Sequence, residues 1–185
     1  MLPFAYVYYY LLALNMKIPT PSELTNTYIE MFCKKNEDNT YLFKEEYLIS
    51  TYNIKFSLVE LKARILRAYN SYNREIEFFV HLSTKLQNKA IVKYDMIKDL
   101  YEGIDMVVET KSGNIYGLAT YVGTSRSMNY KYKKNTIRHD YSCYNMLDVI
   151  AYMYGPNKNV VAYGDVLVYN DSVVNDIVRK IIWYI

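Results

Sequence analysis

The sequence has only two cysteines and two histidines, and this scarcity excludes several common kinds of site. Cys33 and Cys143 belong to no Cys-x-x-Cys pattern, and His81 and His139 lie far apart in the chain. We therefore expect no zinc site of the usual kind, and a disulfide only if the fold brings the two cysteines together. Such cysteine usage favours a reducing, cytoplasmic setting.

Long apolar runs are also missing. The most apolar stretch, residues 2–14, is shorter than the ~20 residues that span a bilayer, and no lysine or arginine precedes it. We expect it to form a buried first helix and expect no membrane association. Because no internal repeat or low-complexity linker occurs, we predict a single domain over residues 1–185, with a helical part at 1–55 and an α/β core at 56–185.

Two familiar catalytic signatures are absent as well. The six glycines form no phosphate-cradling loop, and no Ser/His/Asp or Cys/His arrangement is supported. The sequence therefore gives no indication of P-loop chemistry or of a nucleophilic triad.

Helices are predicted from capping residues and apolar spacing. Thr20-Pro21-Ser22-Glu23 and Ser57-Leu58-Val59-Glu60 are capping boxes, so a helix should begin at each. The first should end near Lys34, the second should run over 57–86, and Asn170 should cap a final helix. One face of the long helix should be apolar, formed by Leu58, Leu61, Ile65, Tyr69, Tyr72, Ile76 and Phe79.

Strands are predicted mainly in the second half of the chain. Segments 90–94, 103–110 and 115–122 should form a three-stranded meander whose last turn has Gly113 at its tip. Segments 149–154 and 160–169 read as two further strands. Residues 43–54 are ambiguous, and we expect a short helix and a loop there.

The net charge of +3 is small, but basic residues are clustered. No Asp or Glu occurs between Lys111 and His139, so this segment can attract phosphate. Tyrosines 116, 121, 130 and 132 interleave with its cations and could stack on bases or sugars. A solvated basic loop whose tyrosines pack on the core explains the pattern equally well. The predicted nucleic-acid-binding residues are Arg126, Lys131, Lys133, Lys134 and Arg138.

The order of these elements, together with three short motifs, resembles the PD-(D/E)xK nuclease superfamily. The motifs are Arg74-Glu75 in the long helix, Gly103-Ile104-Asp105 in the second strand of the meander, and residues 116–121 in the third. The resemblance implies a restriction-endonuclease-like α/β fold, a mixed sheet flanked by helices, preceded here by a helical first third. It further implies that an Asp on one strand and a (D/E)-x-K on the next hold magnesium, and that a helix Glu often completes the site.

The third strand departs from the family pattern, since it has Ala119-Thr120-Tyr121 in place of the acid and lysine. Across the hairpin, Asp105 should face Thr120 or Val122, and neither supplies a carboxylate. The triplet Glu109-Thr110-Lys111 does not replace the missing pair, because residues 105 and 109 on one strand lie ~13 Å apart.

We therefore expect the acid to have moved to Glu75 and the cation to Arg126 or Lys133. The predicted catalytic residues are Glu75, Asp105 and Lys133, with Glu75 and Asp105 as magnesium ligands. Glu75 falls on the edge of the apolar helix face, so a salt-bridged residue at the margin of the core is the alternative interpretation.

Three functional hypotheses follow. The first is a magnesium-dependent DNA phosphodiester hydrolase, either an endonuclease or an exonuclease. The second is a catalytically inactive nuclease-fold module that binds nucleic acid or a protein partner. The third is a protein whose 23 tyrosines form a homo-oligomer surface.

Overall fold

The computed structural model describes residues 4–44, 55–94, 103–124, 128–129, 141–164 and 166–183. The chain divides into two compact units, Met1–Tyr72 and Asn73–Ile185. The first unit is mainly helical, and the second is mixed α/β.

The first unit contains α1 (Phe4–Asn15), α2 (Pro21–Phe32) and the beginning of α3 (Leu58–Leu86). The predicted capping box of α2 is confirmed: the Glu23 N–H donates to Thr20 Oγ1 at 3.2 Å, and the Thr20 N–H donates to the Glu23 carboxylate at 2.7 Å. These bonds to Thr20 lower the pKa of Glu23 to about 2. The capping chemistry therefore sets where this helix begins.

A short hairpin that the sequence did not indicate follows α2. Strand β1 (Cys33–Lys35) pairs antiparallel with β2 (Tyr41–Phe43), and Cys33 lies opposite Phe43. The expected helix end is confirmed, but two lysines in a strand of three residues carry no strand signal of their own. Of the ambiguous segment 43–54, residues 45–54 lie outside the described part of the chain.

Helix α3 begins with the second predicted capping box, in which the Ser57 N–H donates to the Glu60 carboxylate at 2.8 Å. Its predicted apolar face is confirmed in the first unit, where Leu61 and Ile65 are buried. In the second unit the predicted Phe79 packs against the core while partly buried, but the fully buried side chains of α3 are Phe78, Leu82 and Leu86. Packing against the sheet selects this face, and the spacing of apolar residues along the helix carries no information about that packing.

The second unit contains one mixed four-stranded sheet, in the order β3-β4-β5-β6. Its strands are β3 (Ala90–Tyr94), β4 (Met106–Thr110), β5 (Ile115–Val122) and β6 (Asn145–Ala151). Neighbours β3, β4 and β5 pair antiparallel, whereas β5 and β6 pair parallel. The predicted mixed α/β class and meander are thus confirmed.

Three strand predictions were wrong in their bounds. Strand β4 begins at Met106 and not at residue 103, so Gly103-Ile104-Asp105 precedes the strand. Strand β6 lies at Asn145–Ala151 and not at 149–154, because its pairing with β5 begins at the polar residue Asn145. Segment 160–169 is two strands, β7 (Val160–Tyr163) and β8 (Val166–Tyr169), which pair antiparallel around Gly164 at φ +57°. A positive φ favours glycine, and this turn interrupts the apolar run.

The turn between β4 and β5 has the predicted glycine. Gly113 adopts φ +88°, and its N–H donates to the Thr110 carbonyl at 3.0 Å. The Thr110 N–H in turn donates to the Asn114 carbonyl at 3.0 Å, which closes a three-residue connection. This turn fixes the register that brings Met106 opposite Leu118.

The last helix, α4 (Asp171–Ile182), is capped as predicted by Asn170, whose side chain accepts from the Val173 N–H at 3.2 Å. Its buried face packs into a core with α3, β4, β5 and β6. The core includes Phe78, Leu82, Met106, Val108, Tyr116, Leu118, Val149, Tyr169, Val174 and Ile177.

Cys33 is buried, Cys143 is exposed, and both are free thiols. Among the helices that the structure describes, none combines the length and apolar character needed to cross a bilayer.

Candidate functional site: a buried polar cluster in the second unit

The structure brings Glu75 and Asp105 together around Tyr169. Both carboxylates lie close enough to the Tyr169 hydroxyl to raise its pKa. Glu75 is 8% exposed, Asp105 5% and Tyr169 5%, so neither acid is the solvated surface charge typical of its residue type. We call Arg74, Glu75, Asp105, Thr120 and Tyr169 the Tyr169 cluster.

Asp105 is positioned by the start of the β4–β5 hairpin. Its N–H donates to the Leu118 carbonyl at 2.9 Å, and its Oδ2 accepts a hydrogen bond from the Thr120 N–H. Continuing the pairing of Met106 with Leu118 by one residue places Asp105 beside Ala119, one position from the predicted Thr120. Gly103, at φ +70°, turns the chain into this position.

Tyr169, at the end of β8, is the hub of the cluster. Its hydroxyl donates to the Val149 carbonyl at 2.9 Å, and its ring packs against Phe78 with 5.2 Å between centroids. Burial raises its pKa above the ordinary value of about 10, Arg74 opposes this increase, and the carboxylates of Glu75 and Asp105 add to it. The hydroxyl therefore stays protonated at neutral pH and acts as a donor.

Arg74 supplies the positive charge of the cluster. Its guanidinium carbon lies 5.9 Å from the centroid of the Tyr169 ring, and the two side chains share a hydrogen bond. Only 3% of Arg74 is exposed. A buried guanidinium calls for anions in its surroundings, and the carboxylates of Glu75 and Asp105 act on the same Tyr169 hydroxyl that Arg74 bonds.

Two polar atoms of the cluster lack hydrogen-bond partners among the described residues. They are Arg74 Nη1 and Thr120 Oγ1, and both are buried. Each such group costs about 1–3 kcal/mol, so their coexistence beside two acids needs an explanation. A cationic donor of this kind can receive an oxyanion, and an oxygen of this kind can bind a hard cation.

The oxygen donors of the cluster are of the type that magnesium prefers. Within the part of the chain that the structure describes, no group of three or more His, Cys, Asp or Glu residues is assembled. Magnesium is commonly held by one or two carboxylates, with substrate phosphates and waters filling its other positions. Glu75 and Asp105 are the two carboxylates of the cluster, and Thr120 is joined to Asp105 through its N–H.

In β5, Ala119 and Tyr121 stand where the family pattern has an acid and a lysine, and both lie beside Asp148 of β6. Ala119 of β5 lies opposite Asp148 of β6, and Tyr121 shares a hydrogen bond with that carboxylate. Burial, followed by the effect of Asp148, raises the pKa of Tyr121 to about 12. Asp148 is exposed and is not among the groups that act on Tyr169, so it does not take the place of the missing acid.

The structure also explains why Glu109-Thr110-Lys111 is not a catalytic triplet. The Glu109 carboxylate forms an ion pair with Lys93 at 2.7 Å, and both side chains are more than a third exposed. The β3–β4 pairing sets Glu109 opposite Ile91 and Lys93 opposite Val107, so Lys93 and Glu109 are diagonal neighbours on one face of the sheet. Glu109 is therefore a surface residue of the sheet.

The predicted basic contacts Arg126, Lys131, Lys133, Lys134 and Arg138 lie outside the described residues, as does His139. Two of the four interleaved tyrosines are described. Tyr116 is 3% exposed and belongs to the core, so it cannot stack on a nucleic-acid base. Tyr121 is half-buried and bonded to Asp148. For these two rings, packing on the protein is the correct interpretation.

Sequence reasoning missed Arg74 and Tyr169 as members of the site. The signal for Arg74 was the polar triplet 73–75, which interrupts the helix where its buried face should continue. Tyr169 gave no signal, because it reads as the last residue of an apolar strand.

No protein-family model, curated protein or solved structure matches this chain.

Proposed function

We propose that the chain is a restriction-endonuclease-like, magnesium-dependent hydrolase of DNA phosphodiesters, with its site at the Tyr169 cluster. The observation that carries the proposal is the convergence of Glu75 and Asp105, from a helix and from a hairpin, beside a buried arginine. Buried charges that gather from distant segments are typical of functional sites.

The arrangement of elements supports the fold part of this proposal. Helix α3 precedes the β3–β4–β5 meander, and the next described strand, β6, pairs parallel with β5. Asp105 lies immediately before β4 and is bonded to β5. This is the element order that the resemblance to the PD-(D/E)xK superfamily implies.

Glu75 and Asp105 would hold the magnesium ion, which, when bound, activates water and neutralises charge on the scissile phosphate. The Thr120 N–H orients the Asp105 carboxylate. Arg74 Nη1 would donate to a phosphate oxygen, the group that a guanidinium recognises best. Tyr169 holds the guanidinium in place through its ring and hydroxyl. Arg74 would thereby supply a cation that the third strand lacks. Lys133 stays the second cation that the sequence predicts for the site.

The test is DNA cleavage by purified variants in magnesium or manganese, on mixed single- and double-stranded substrates. Asp105→Asn and Glu75→Gln should each lower the rate by about 100-fold or more, since both remove a charge at the reacting phosphate. Glu109→Gln is the matched control, because it removes a carboxylate of the same sheet that lies on the surface. Equal activity of wild type and Asp105→Asn would remove Asp105 from the mechanism.

A second candidate is a nuclease-fold module without catalysis that binds nucleic acid or a protein partner. It is favoured by the low exposure of both carboxylates and by the buried guanidinium that acts on the same tyrosine. Calorimetric titration with magnesium or manganese separates the two functions. No heat of binding, with or without DNA, supports the module. A mass that rises with protein concentration, without salt-sensitive DNA binding, supports the homo-oligomer instead.

A further inference from the structure

The first unit contains a cavity of about 150 Å³ whose lining combines aromatic rings with charged side chains. Its apolar lining is formed by Phe4, Tyr28, Phe43, Phe56 and Leu61. Tyr28 is fully buried and Leu61 is 4% exposed, so they form a rigid floor. Lys55, Glu60 and Arg64 lie at the exposed rim.

The rings form a continuous series around the cavity. The centroids of Phe4 and Tyr28 are 4.6 Å apart, those of Tyr28 and Phe43 6.4 Å, and those of Phe43 and Phe56 5.2 Å. A cavity of roughly 150 Å³ with an apolar lining is large enough to take one benzene ring. The volume and the aromatic walls together favour a single planar ring as the occupant.

The charged side chains at the rim indicate which charge a ligand of this cavity should carry. The Glu60 carboxylate is already occupied as the cap of α3, accepting from the Ser57 N–H at 2.8 Å and from the Ser57 hydroxyl at 3.1 Å. Lys55 forms an ion pair with Asp38 at 3.1 Å. Arg64 acts on Glu60 through its charge but forms no ion pair within 4 Å among the described residues.

We propose that this cavity binds a planar aromatic ring that carries a negatively charged group, with the ring among the four aromatic side chains and the anion on Arg64. An aromatic enclosure alone would equally suit an ammonium ion. Because Lys55 is paired with Asp38 and Glu60 caps α3, Arg64 is the rim charge left to meet a ligand, and its positive sign disfavours an ammonium ion. Both a free aromatic acid and a pyrimidine nucleotide carry the required chemistry.

Calorimetric titration of the whole chain with three matched probes tests the proposal. Benzoate should bind, benzyl alcohol should bind about tenfold more weakly, and benzylamine, which is a cation at pH 7, should bind more weakly still. Thymidine 5′-monophosphate distinguishes the source of the ligand. Tighter binding of the nucleotide than of benzoate identifies a nucleotide, and the reverse order identifies an aromatic acid.

Variants assign the binding to Arg64. Arg64→Met keeps most of the side-chain stem and should weaken benzoate binding by about tenfold or more, the loss expected for one charge-assisted hydrogen bond. Lys62→Met is the matched control, an exposed cation of the same helix that does not line the cavity. Both positions are exposed, so both variants should fold. The proposal is overturned if no probe binds, if benzylamine binds as well as benzoate, or if Arg64→Met leaves the affinity unchanged.

Discussion

The guanidinium carbon of Arg74 lies 5.9 Å from the centroid of the Tyr169 ring. This contact joins α3 to β8 and holds a positive charge beside the carboxylates of Glu75 and Asp105. When it is desolvated, a cation over an aromatic ring contributes on the order of 2 kcal/mol. The pair is therefore both a part of the core and the electrostatic centre of the proposed site.

Replacing Arg74 should destabilise the fold. Arg74→Met removes the buried guanidinium that contacts the ring and hydroxyl of Tyr169, and we expect the free energy of unfolding to fall by about 1–3 kcal/mol. Urea unfolding measures the loss. Arg179→Met is the control, since that guanidinium is 72% exposed and its 3.7 Å pair with Asp176 lies on the surface of α4. Comparable stability of the two variants would show that the contact of the buried arginine with Tyr169 does not stabilise the fold.

The Tyr169 hydroxyl should contribute measurably to stability. Tyr169→Phe removes the donor to the buried Val149 carbonyl, so we expect a loss of about 1–3 kcal/mol. Tyr163→Phe, on the paired strand of the same hairpin, removes the hydroxyl of a ring that is 68% exposed and should be nearly neutral. Equal stability of both variants in thermal or urea unfolding would contradict the role assigned to this hydrogen bond.

Ionisation of the Tyr169 hydroxyl should lower the free energy of unfolding at alkaline pH. The pKa of Tyr169 is raised by burial above the value of about 10 that it has in the unfolded chain. Its contribution is therefore fully present below about pH 10 and is lost as the pH rises from there toward the folded-state pKa. Unfolding curves between pH 8 and pH 11 should show a decline that is smaller in Tyr169→Phe. A decline of the same size in the variant would assign it to other groups.

The ion pair between Lys93 and Glu109 should matter little. Both side chains are more than a third exposed, so Glu109→Gln should change stability by less than about 1 kcal/mol. Its effect should shrink further in high salt, where the charges are screened. DNA cleavage by Glu109→Gln, if the chain cleaves DNA, should match wild type. A large loss of activity would restore Glu109 as a candidate catalytic acid.

Local signals predicted the helices well. The caps at Thr20, Ser57 and Asn170 depend on hydrogen bonds between residues three positions apart, so the sequence contains every group they need. The β4–β5 hairpin was predictable for a similar reason, since Gly113 accepts the positive φ of its turn. Strand β6 and the β1–β2 hairpin were not, because their residues become strands only through pairing with distant partners.

The candidate site divides in the same way. The residues Glu75 and Asp105 could be selected from the sequence, since an acid on the edge of an apolar helix face and an acid after Gly-Ile are local features. Their convergence on Tyr169, and the burial of Arg74 between helix and sheet, arise from long-range packing. The free energy of a buried charge depends on which groups surround it in space, and neighbours along the chain do not specify those groups.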